Sequence, residues 1–354
     1  MKYDVAVLGA TGMVGQRYVK ILSKHPWFNL VALSASPQKA GMKYVDAVSW
    51  VIGGEIPVEV SEIKLSKPDP EEFRGIDIVF SALPTEVSRE LEPRFISRGY
   101  AVFSDSSPMR LDPRVPLVIP EINMLHLEII RARKGIDSGI LVKTPNCTST
   151  ILSMGLKPMI DLLGLPQHID VVSLQAISGA GYTGLPSMAI QDNVIPYIKN
   201  EEEKLSEEPK KIFGRISGDT IEPNPLLYIE ATTTRVPVSD GHMVVIHTHY
   251  DRKPDLEELL KTYESFRSLP QEAKLPTAPR KPIVLHRAVD RPQTRLDRDI
   301  EGGMSISVGR VRISEKGGKY IVKLVALGHN TIRGAAGNTI LNAEASVYLG
   351  LLRR

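Results

Sequence analysis

The chain of 354 residues is 42% hydrophobic and 24% charged, and its 44 basic and 41 acidic side chains leave a net charge of only +3. That balance excludes a global field for nucleic acid, and no stretch approaches the ~18 consecutive apolar residues of a membrane span. Its length suffices for two hydrophobic cores, while 27 glycines, 26 prolines and 6% aromatics fit short strands and helices joined by tight turns.

The start, MKYDVAVLGATG, lacks the basic flank, apolar run and small-residue cleavage site of a leader, so a cytoplasmic protein is expected. YDVAVLG (3–9) predicts a strand. A glycine turn then leads into QRYVKILSKH, where Tyr18, Val19, Ile21 and Leu22 share a helical face. NLVALSAS (29–36), IDIVFSAL (76–83), YAVFSDSS (100–107), PLVIPEIN (116–123) and GILVKTPN (139–146) read as further strands, and Thr85 to Arg98 as a helix stopped by Gly99. Strands alternating with helices predict an α/β fold, with a Rossmann-type doubly wound parallel sheet over residues 1–146.

Past residue 146 the texture changes. TSTILSMGLKPMIDLLG places Ile151, Leu152, Leu156, Met159 and Leu163 on one helical stripe that ends at Gly164. HIDVVSLQAIS, LYIEATTTRVPV, HMVVIHTHY, MSISVGRVRI and KYIVKLVALG alternate like strands of a mixed or antiparallel sheet with one covered face, which predicts a second, α+β domain. KNEEEKLSEEPKK (199–211) predicts a charged helix and RAVDRPQTRLDRD (287–299) a proline-broken loop. TIRGAAGNTILNAEASVYLGLL predicts a last helix whose small residues permit close approach to a backbone or ligand.

Two motifs carry chemistry. In GATGMVG, Gly9, Gly12 and Gly15 follow the first strand, where missing side chains let backbone amides and a helix N-terminus approach a pyrophosphate. At the end of the second strand stand Ser34, Ser36 and Lys39 and no acid, so a 2′-phosphate is accepted and NADP is the expected cofactor. The second motif is KTPNCTST, holding the sole cysteine, Cys147. One cysteine excludes an intramolecular disulfide and a cysteine zinc cluster. At a strand end and a helix N-terminus its thiolate should be favoured and its pKa lowered, which predicts a fast-alkylating nucleophile.

Among the eight histidines, His25 and His168 sit at element edges and His126 on a predicted surface helix. His247, His249 and Asp251 share a strand face, but without a further ligand nearby no metal is expected. Arg235 and His242 bracket a Pro- and Gly-containing bend in TRVPVSDGH, which can bring a guanidinium and an imidazole to one cavity.

The ordered set GATGMVG, SDSSPMR, TPNCTST, LQAISGAGYTG, EEPKKI, TRVPVSDGH and GHNTIRGAAGNTILNAE resembles the aspartate-β-semialdehyde dehydrogenase family, in its archaeal and fungal branch, over nearly the whole chain. The resemblance implies an NADP-binding domain (1–146), a catalytic and dimerisation domain (147–329) like that of glyceraldehyde-3-phosphate dehydrogenase, and a C-terminal helix (330–354) returning to the first. It implies NADPH-dependent conversion of aspartyl phosphate to aspartate semialdehyde and phosphate, on the route to lysine, threonine, methionine and isoleucine, by a homodimer or homotetramer. Cys147 would form a thioester. His242 would be the acid/base, Gln175 would orient the acyl group and Asn146 would flank the nucleophile. Arg235 would grip the substrate carboxylate, Glu208 its ammonium, and Arg110 with Lys211 the phosphate. Gly9, Thr11, Gly12, Met13, Val14, Gly15, Ser34, Ser36, Lys39 and Ser81 would contact the cofactor from the first domain, and Ser178, Gly179 and Asn330 from the rest of the chain.

Rival readings differ at defined points. A malonyl- or succinyl-CoA reductase on this scaffold has another leaving group, and Asn146 with the EEPKK charges favours an acyl phosphate. N-acetyl-glutamyl phosphate reductase sets its cysteine in Gly-Cys-Tyr-Pro, and glyceraldehyde-3-phosphate dehydrogenase differs around Cys147 and in the last helix. A non-catalytic dinucleotide sensor would carry an inert thiol.

Overall fold

In the computed structural model, which describes residues 2–132 and 139–352, two large sheets organise the chain. The first contains β1 (Tyr3–Leu8), β2 (Phe28–Leu33), β3 (Ile78–Ser81), β4 (Ala101–Ser104) and β5 (Ile140–Lys143), all parallel, in the order β2-β1-β3-β4-β5. A parallel bridge from Ser34 to Ser66 extends it beyond β2.

At β1, β3, β4 and β5 both faces of this sheet are largely buried, which is why these strands read as nearly unbroken apolar runs, whereas edge strand β2 leaves Asn29 and Val31 exposed. Val5, Val7, Phe80 and Phe103 pack with Tyr18 and Val19 of α1 (Met13–Leu22). Ala6, Leu8, Val79 and Val102 pack on the other side with Phe95 of α2 (Thr85–Ser97). The chain leaves β1 for β2 on one side and returns to β3 on the other. The carboxyl end of β1, where Gly9 lies, is therefore the switch point at which such sheets hold ligands.

The expected strand at 116–123 does not form. Leu117 makes a single bridge to Lys143, and Pro120–Asn123 is helical. Prolines at 116 and 120 remove two ladder donors, and Pro120 suits the first helical turn. His126, expected on the surface, is buried in the next turn and hydrogen-bonded to Asn123.

α3 (Cys147–Leu163) leads into the second sheet, with Gly164 closing the helix at φ 80°. Residues 148–156 of α3 are buried on every side, more than one stripe requires. Strands β6 (His168–Gln175), β9 (Ile229–Arg235), β10 (His242–Tyr250), β11 (Ile283–His286), β12 (Ile306–Lys316) and β13 (Lys319–Gly328) stand in the order β11-β12-β13-β10-β6-β9. Pairing is parallel at β6/β9 and β11/β12 and antiparallel elsewhere, so the sheet is mixed. A small hairpin, β7 (Arg215–Ser217) and β8 (Thr220–Glu222), lies apart. Val244, Ile246 and Ala326 of the covered face pack with Ile151, Met154 and Leu156 of α3. The opposite face carries the less buried Val172, Leu174, Met243 and Val245.

α4 (Glu201–Ile212) is introduced by Asn200 at φ 60°, a left-handed turn that asparagine tolerates. The chain ends in a wide π-type turn, Ile332–Ala336, followed by α5 (Gly337–Tyr348). Ile340 and Leu341 of α5 belong to the hydrophobic cluster of the first sheet. The fully buried Arg333 forks onto Glu121 at 2.8 and 2.6 Å, tying the turn to the segment before β5.

Candidate active site

Cys147 is the first residue of α3, and Asn146 caps it. The Asn146 side-chain oxygen accepts the N–H groups of Thr148 at 2.9 Å and Ser149 at 3.2 Å, two of the donors a helix start leaves open. Its amide nitrogen donates to both oxygens of Glu201, at 3.1 Å each. Gln175, at the end of β6, donates to Glu201 at 3.2 Å, and Lys204 pairs with it at 2.7 Å. One carboxylate thus gathers Asn146, Gln175 and Lys204 beside the thiol.

The sequence pointed to Glu208 and Lys211 for these places. Glu208 is instead buried against Arg110 at 2.9 Å and accepts the Asn146 backbone N–H at 2.6 Å. Lys211 is buried and donates to the carbonyls of Arg110, Asp112 and Val115 at 2.5–2.7 Å, which commits all its protons to holding a loop. Burial lowers its pKa to about 8, against the pull of Asp112 and Glu208. The cation beside Glu201 is Lys204, and with Arg110 it also lines a cavity of about 450 Å³.

The bend between β9 and β10 brings Arg235 and His242 together. Arg235 donates to the Ala176 carbonyl at 2.8 Å, while the Ala176 N–H donates to Nδ1 of His242 at 3.0 Å. Gly179 makes room for both: a Cβ there would lie 2.6 Å from Arg235 Nη1 and 3.0 Å from His242 Nε2. Asn330 stitches this region by donating to Ser178 at 2.9 Å and accepting the Gly241 N–H at 2.9 Å. From the opposite side Gly334 leans on the nucleophile; a Cβ at that position would lie 2.5 Å from the Cβ of Cys147. No other residue permits that approach.

Electrostatics correct one expectation. Cys147 is partly exposed, yet the protein atoms packed around its sulfur raise the thiol to about pKa 11, and the Glu201 carboxylate adds to the rise. Thr148, Arg110 and Lys204 only partly oppose it. Desolvation outweighs the helix N-terminus, so the resting thiol is protonated. Burial, then Arg235 and His329, hold His242 well below the ordinary histidine range. Because Nδ1 accepts a backbone N–H, the neutral ring carries its proton on Nε2, which is buried without a hydrogen-bond partner among the described residues. The ring as placed offers a donor, and taking a further proton requires breaking the Ala176 contact.

In the glycine turn, a Cβ on Gly9 (φ 75°) would lie 2.7 Å from the Ala82 carbonyl oxygen, and one on Gly15 would lie 2.1 Å from the Gly9 oxygen. Helix α1 starts at Met13 with no side-chain cap, so its amides face the crevice uncovered by side-chain oxygens. Ser34 Oγ is buried and unpartnered among the described residues, while Ser36 is exposed and Lys39 half-buried. A phosphate-bearing dinucleotide fits this donor set. Ser81 does not join it. Its hydroxyl donates to Glu92 at 2.8 Å, in a buried network with Ser104, Ser106 and Lys143.

Fold and site together define a two-domain α/β protein in which a dinucleotide-type sheet meets a cysteine-centred cleft. Family models for the semialdehyde dehydrogenase NAD binding domain and dimerisation domain match residues 4–130 and 156–333. Aspartate-semialdehyde dehydrogenase of Archaeoglobus fulgidus is 48% identical over 98% of both chains, and that of Trichophyton rubrum is 40% identical over 99% of both. The solved aspartate-semialdehyde dehydrogenase with NADP from Candida albicans superposes with a TM-score of 0.91 at 35% identity, covering 99% of this chain and 100% of that one. The chain belongs to the aspartate-semialdehyde dehydrogenase family.

Proposed function

We propose that this chain reduces L-4-aspartyl phosphate to L-aspartate 4-semialdehyde with release of phosphate, through a thioester on Cys147, in the biosynthesis of lysine, threonine, methionine and isoleucine. The observation that carries the reading is the charge pattern around the thiol. Glu201 and Arg235 lie close enough for their charges to act on Cys147. An amino-acid substrate brings the complementary pair, with its ammonium meeting Glu201 and its carboxylate meeting Arg235. Gln175 and Asn146, both bonded to Glu201, hold that carboxylate and the helix start in register.

Attack by the Cys147 sulfur on the acyl carbon forms the thioester and breaks the carbon–oxygen bond to phosphate, and the thiol proton leaves on the phosphate. Lys204 and Arg110 attract that anion. When bound, NADPH supplies the hydride that reduces the thioester carbon. His242 donates a hydrogen bond from Nε2 to the oxygen on that carbon as it gains charge. Collapse of the resulting oxyanion breaks the carbon–sulfur bond and frees the aldehyde with the sulfur as thiolate, which takes up one proton from solvent to restore the thiol. Backbone groups of Gly9, Thr11, Gly12, Met13, Val14 and Gly15 would hold the pyrophosphate. Ser34, Ser36 and Lys39 would receive the 2′-phosphate, and Ser178, Gly179 and Asn330 would close the far side.

The hydrophobic clusters on the two sheets support a division near 1–146, 147–329 and 330–354, with α5 sharing the first core, while Leu117 and Ile119 pack with the second sheet and Leu275 and Met304 with the first. The dimerisation-domain match and the open face at Val172, Leu174, Met243 and Val245 support a homo-oligomer. No helix among the described residues is long and apolar enough to cross a membrane. Phosphate-dependent oxidation of aspartate semialdehyde with NADP, run beside NADPH-dependent reduction of malonyl-CoA, tests the function. Activity in the first assay is expected; activity in the second alone overturns the assignment.

A further inference from the structure

A second polar cluster lies on the mixed sheet. His249 stands seven residues along β10 from His242, about 23 Å at ~3.3 Å per residue, so the cluster is separate from the thiol site. His249 pairs across the ladder with His168 of β6, while Asp170 of β6 lies beside Glu230 of β9. Alternation puts these side chains on the face of the sheet away from α3.

We propose that His168, His249, Asp170 and Glu230 form a binding site for a divalent transition-metal ion of the zinc type. Asp170 receives both imidazoles, His168 Nε2 on one oxygen and His249 Nε2 on the other, at 2.8 Å each. Glu230 Oε2 is 3.6 Å from His168 Nε2. The nearest ligand atoms of His168, Asp170 and Glu230 lie within 4.8 Å of one another. A tetrahedral ion with bonds of roughly 2.0–2.1 Å needs donors about 3.3 Å apart. The separations of 2.8 Å from His168 to Asp170 and 3.6 Å from His168 to Glu230 bracket that value, and His249, bonded to the other oxygen of Asp170, would turn toward the ion as the fourth ligand. The ion would replace the protons now shared with Asp170, each ring shifting its proton to Nδ1.

The chemistry of the donors selects the metal. Two imidazoles with carboxylates suit zinc, cobalt, nickel or copper, whereas magnesium and calcium prefer all-oxygen sets. An outer partner is in place as well. Tyr228 donates to Glu230 Oε1 at 2.8 Å, leaving Oε2 toward His168, and its ring lies 5.0 Å from that imidazole. In the single chain the four side chains are between 27% and 61% exposed. The sequence motif of His247, His249 and Asp251 contributes only His249. Asp251 lies one residue past β10 and is taken by Lys319 and Gln167.

The test is cobalt titration of the full-length protein after chelator treatment, followed by visible absorption and calorimetry. One ion per chain is expected, with the d–d bands of a tetrahedral site, and zinc should displace it. His168→Ala and His249→Ala should each weaken binding at least roughly tenfold, while Cys147→Ser should leave it unchanged. Glu230→Gln, at an exposed side chain, serves as a milder variant, and retained reductase activity in the histidine variants reports an intact fold. Failure to bind cobalt, or binding lost in Cys147→Ser but kept in the histidine variants, overturns the site.

Discussion

Cys147 in the free protein should be a slow thiol, and the size of the effect follows from its surroundings. A pKa of about 11 against about 8.5 for a free cysteine leaves on the order of 300-fold less thiolate at pH 7.5. A more basic thiolate is the better nucleophile, and a Brønsted coefficient of ~0.4–0.5 over ~2.5 units returns about tenfold. Alkylation by iodoacetamide should therefore run roughly 20- to 30-fold slower than for a small reference thiol. The assay is the rate of Cys147 modification, followed by intact mass, from pH 6.5 to 10.5. Its logarithm should climb across the whole range without a plateau near neutrality. Glu201→Gln removes a negative charge beside the sulfur and should speed the reaction at pH 7.5. A rate equal to or above the reference thiol, or a plateau near pH 7, would show that the helix N-terminus governs the thiol and refute the desolvation argument.

His242→Ala should lower turnover by about 10²–10³, the cost of losing one oxyanion donor, with NADPH affinity by fluorescence titration unchanged. Because burial keeps His242 well below 6.5, its ring stays neutral as pH falls from 8 to 6, so kcat/KM should show no inflection near 6.5; one that vanishes in His242→Ala would refute the neutral ring. Gly334→Ala forces a Cβ to 2.5 Å from that of Cys147, and the displaced nucleophile should cost about 10²-fold in turnover, since a shift of ~1 Å has that effect; unaltered kinetics would mean the π-type turn gives way freely. Asp105 is raised by burial to about 7, against Tyr18, Arg110 and Lys143. The fold thus favours its protonated form, a stabilisation complete below about pH 4 and lost as pH rises through 7. Asp105→Asn should flatten that loss and gain about 2 kcal/mol at pH 8, after discounting for partial solvent access, as read by urea denaturation; an equal change at pH 4 and pH 8 would refute the assignment.

Much of this architecture is legible in the residues. Short apolar runs marked the parallel strands, and the bend at 235–242, read as able to bring Arg235 and His242 to one cavity, places both side chains against Ala176. The acid and cation beside the thiol were missed for a geometric reason. Glu201 and Lys204 stand three apart, as do Glu208 and Lys211, and the two pairs are seven residues apart on α4. Seven residues are close to two helical turns, so both pairs share one face, and periodicity cannot say which end meets Cys147. The available signal was Asn200, whose left-handed turn starts the helix with Glu201. The PLVIPEIN strand failed because apolar content outweighed its two prolines in the reading, though not in the backbone.

The thiol pKa was illegible for another reason. A helix start is visible in NCTST, but the packing around Cys147 is not, since it includes Gly334, which arrives from nearly two hundred residues downstream. The same applies to His242, whose tautomer is set by one backbone N–H from Ala176. These features point the same way. A resting site with a protonated thiol and a neutral donor imidazole holds no nucleophile to be lost to stray electrophiles. Reactivity then depends on the substrate, because its phosphate can accept the thiol proton and its ammonium offsets the Glu201 charge that raises the thiol pKa. An acyl group lacking either charge should bind near Cys147 and react poorly. On this argument the charges around the thiol select the substrate by the chemical step as well as by affinity.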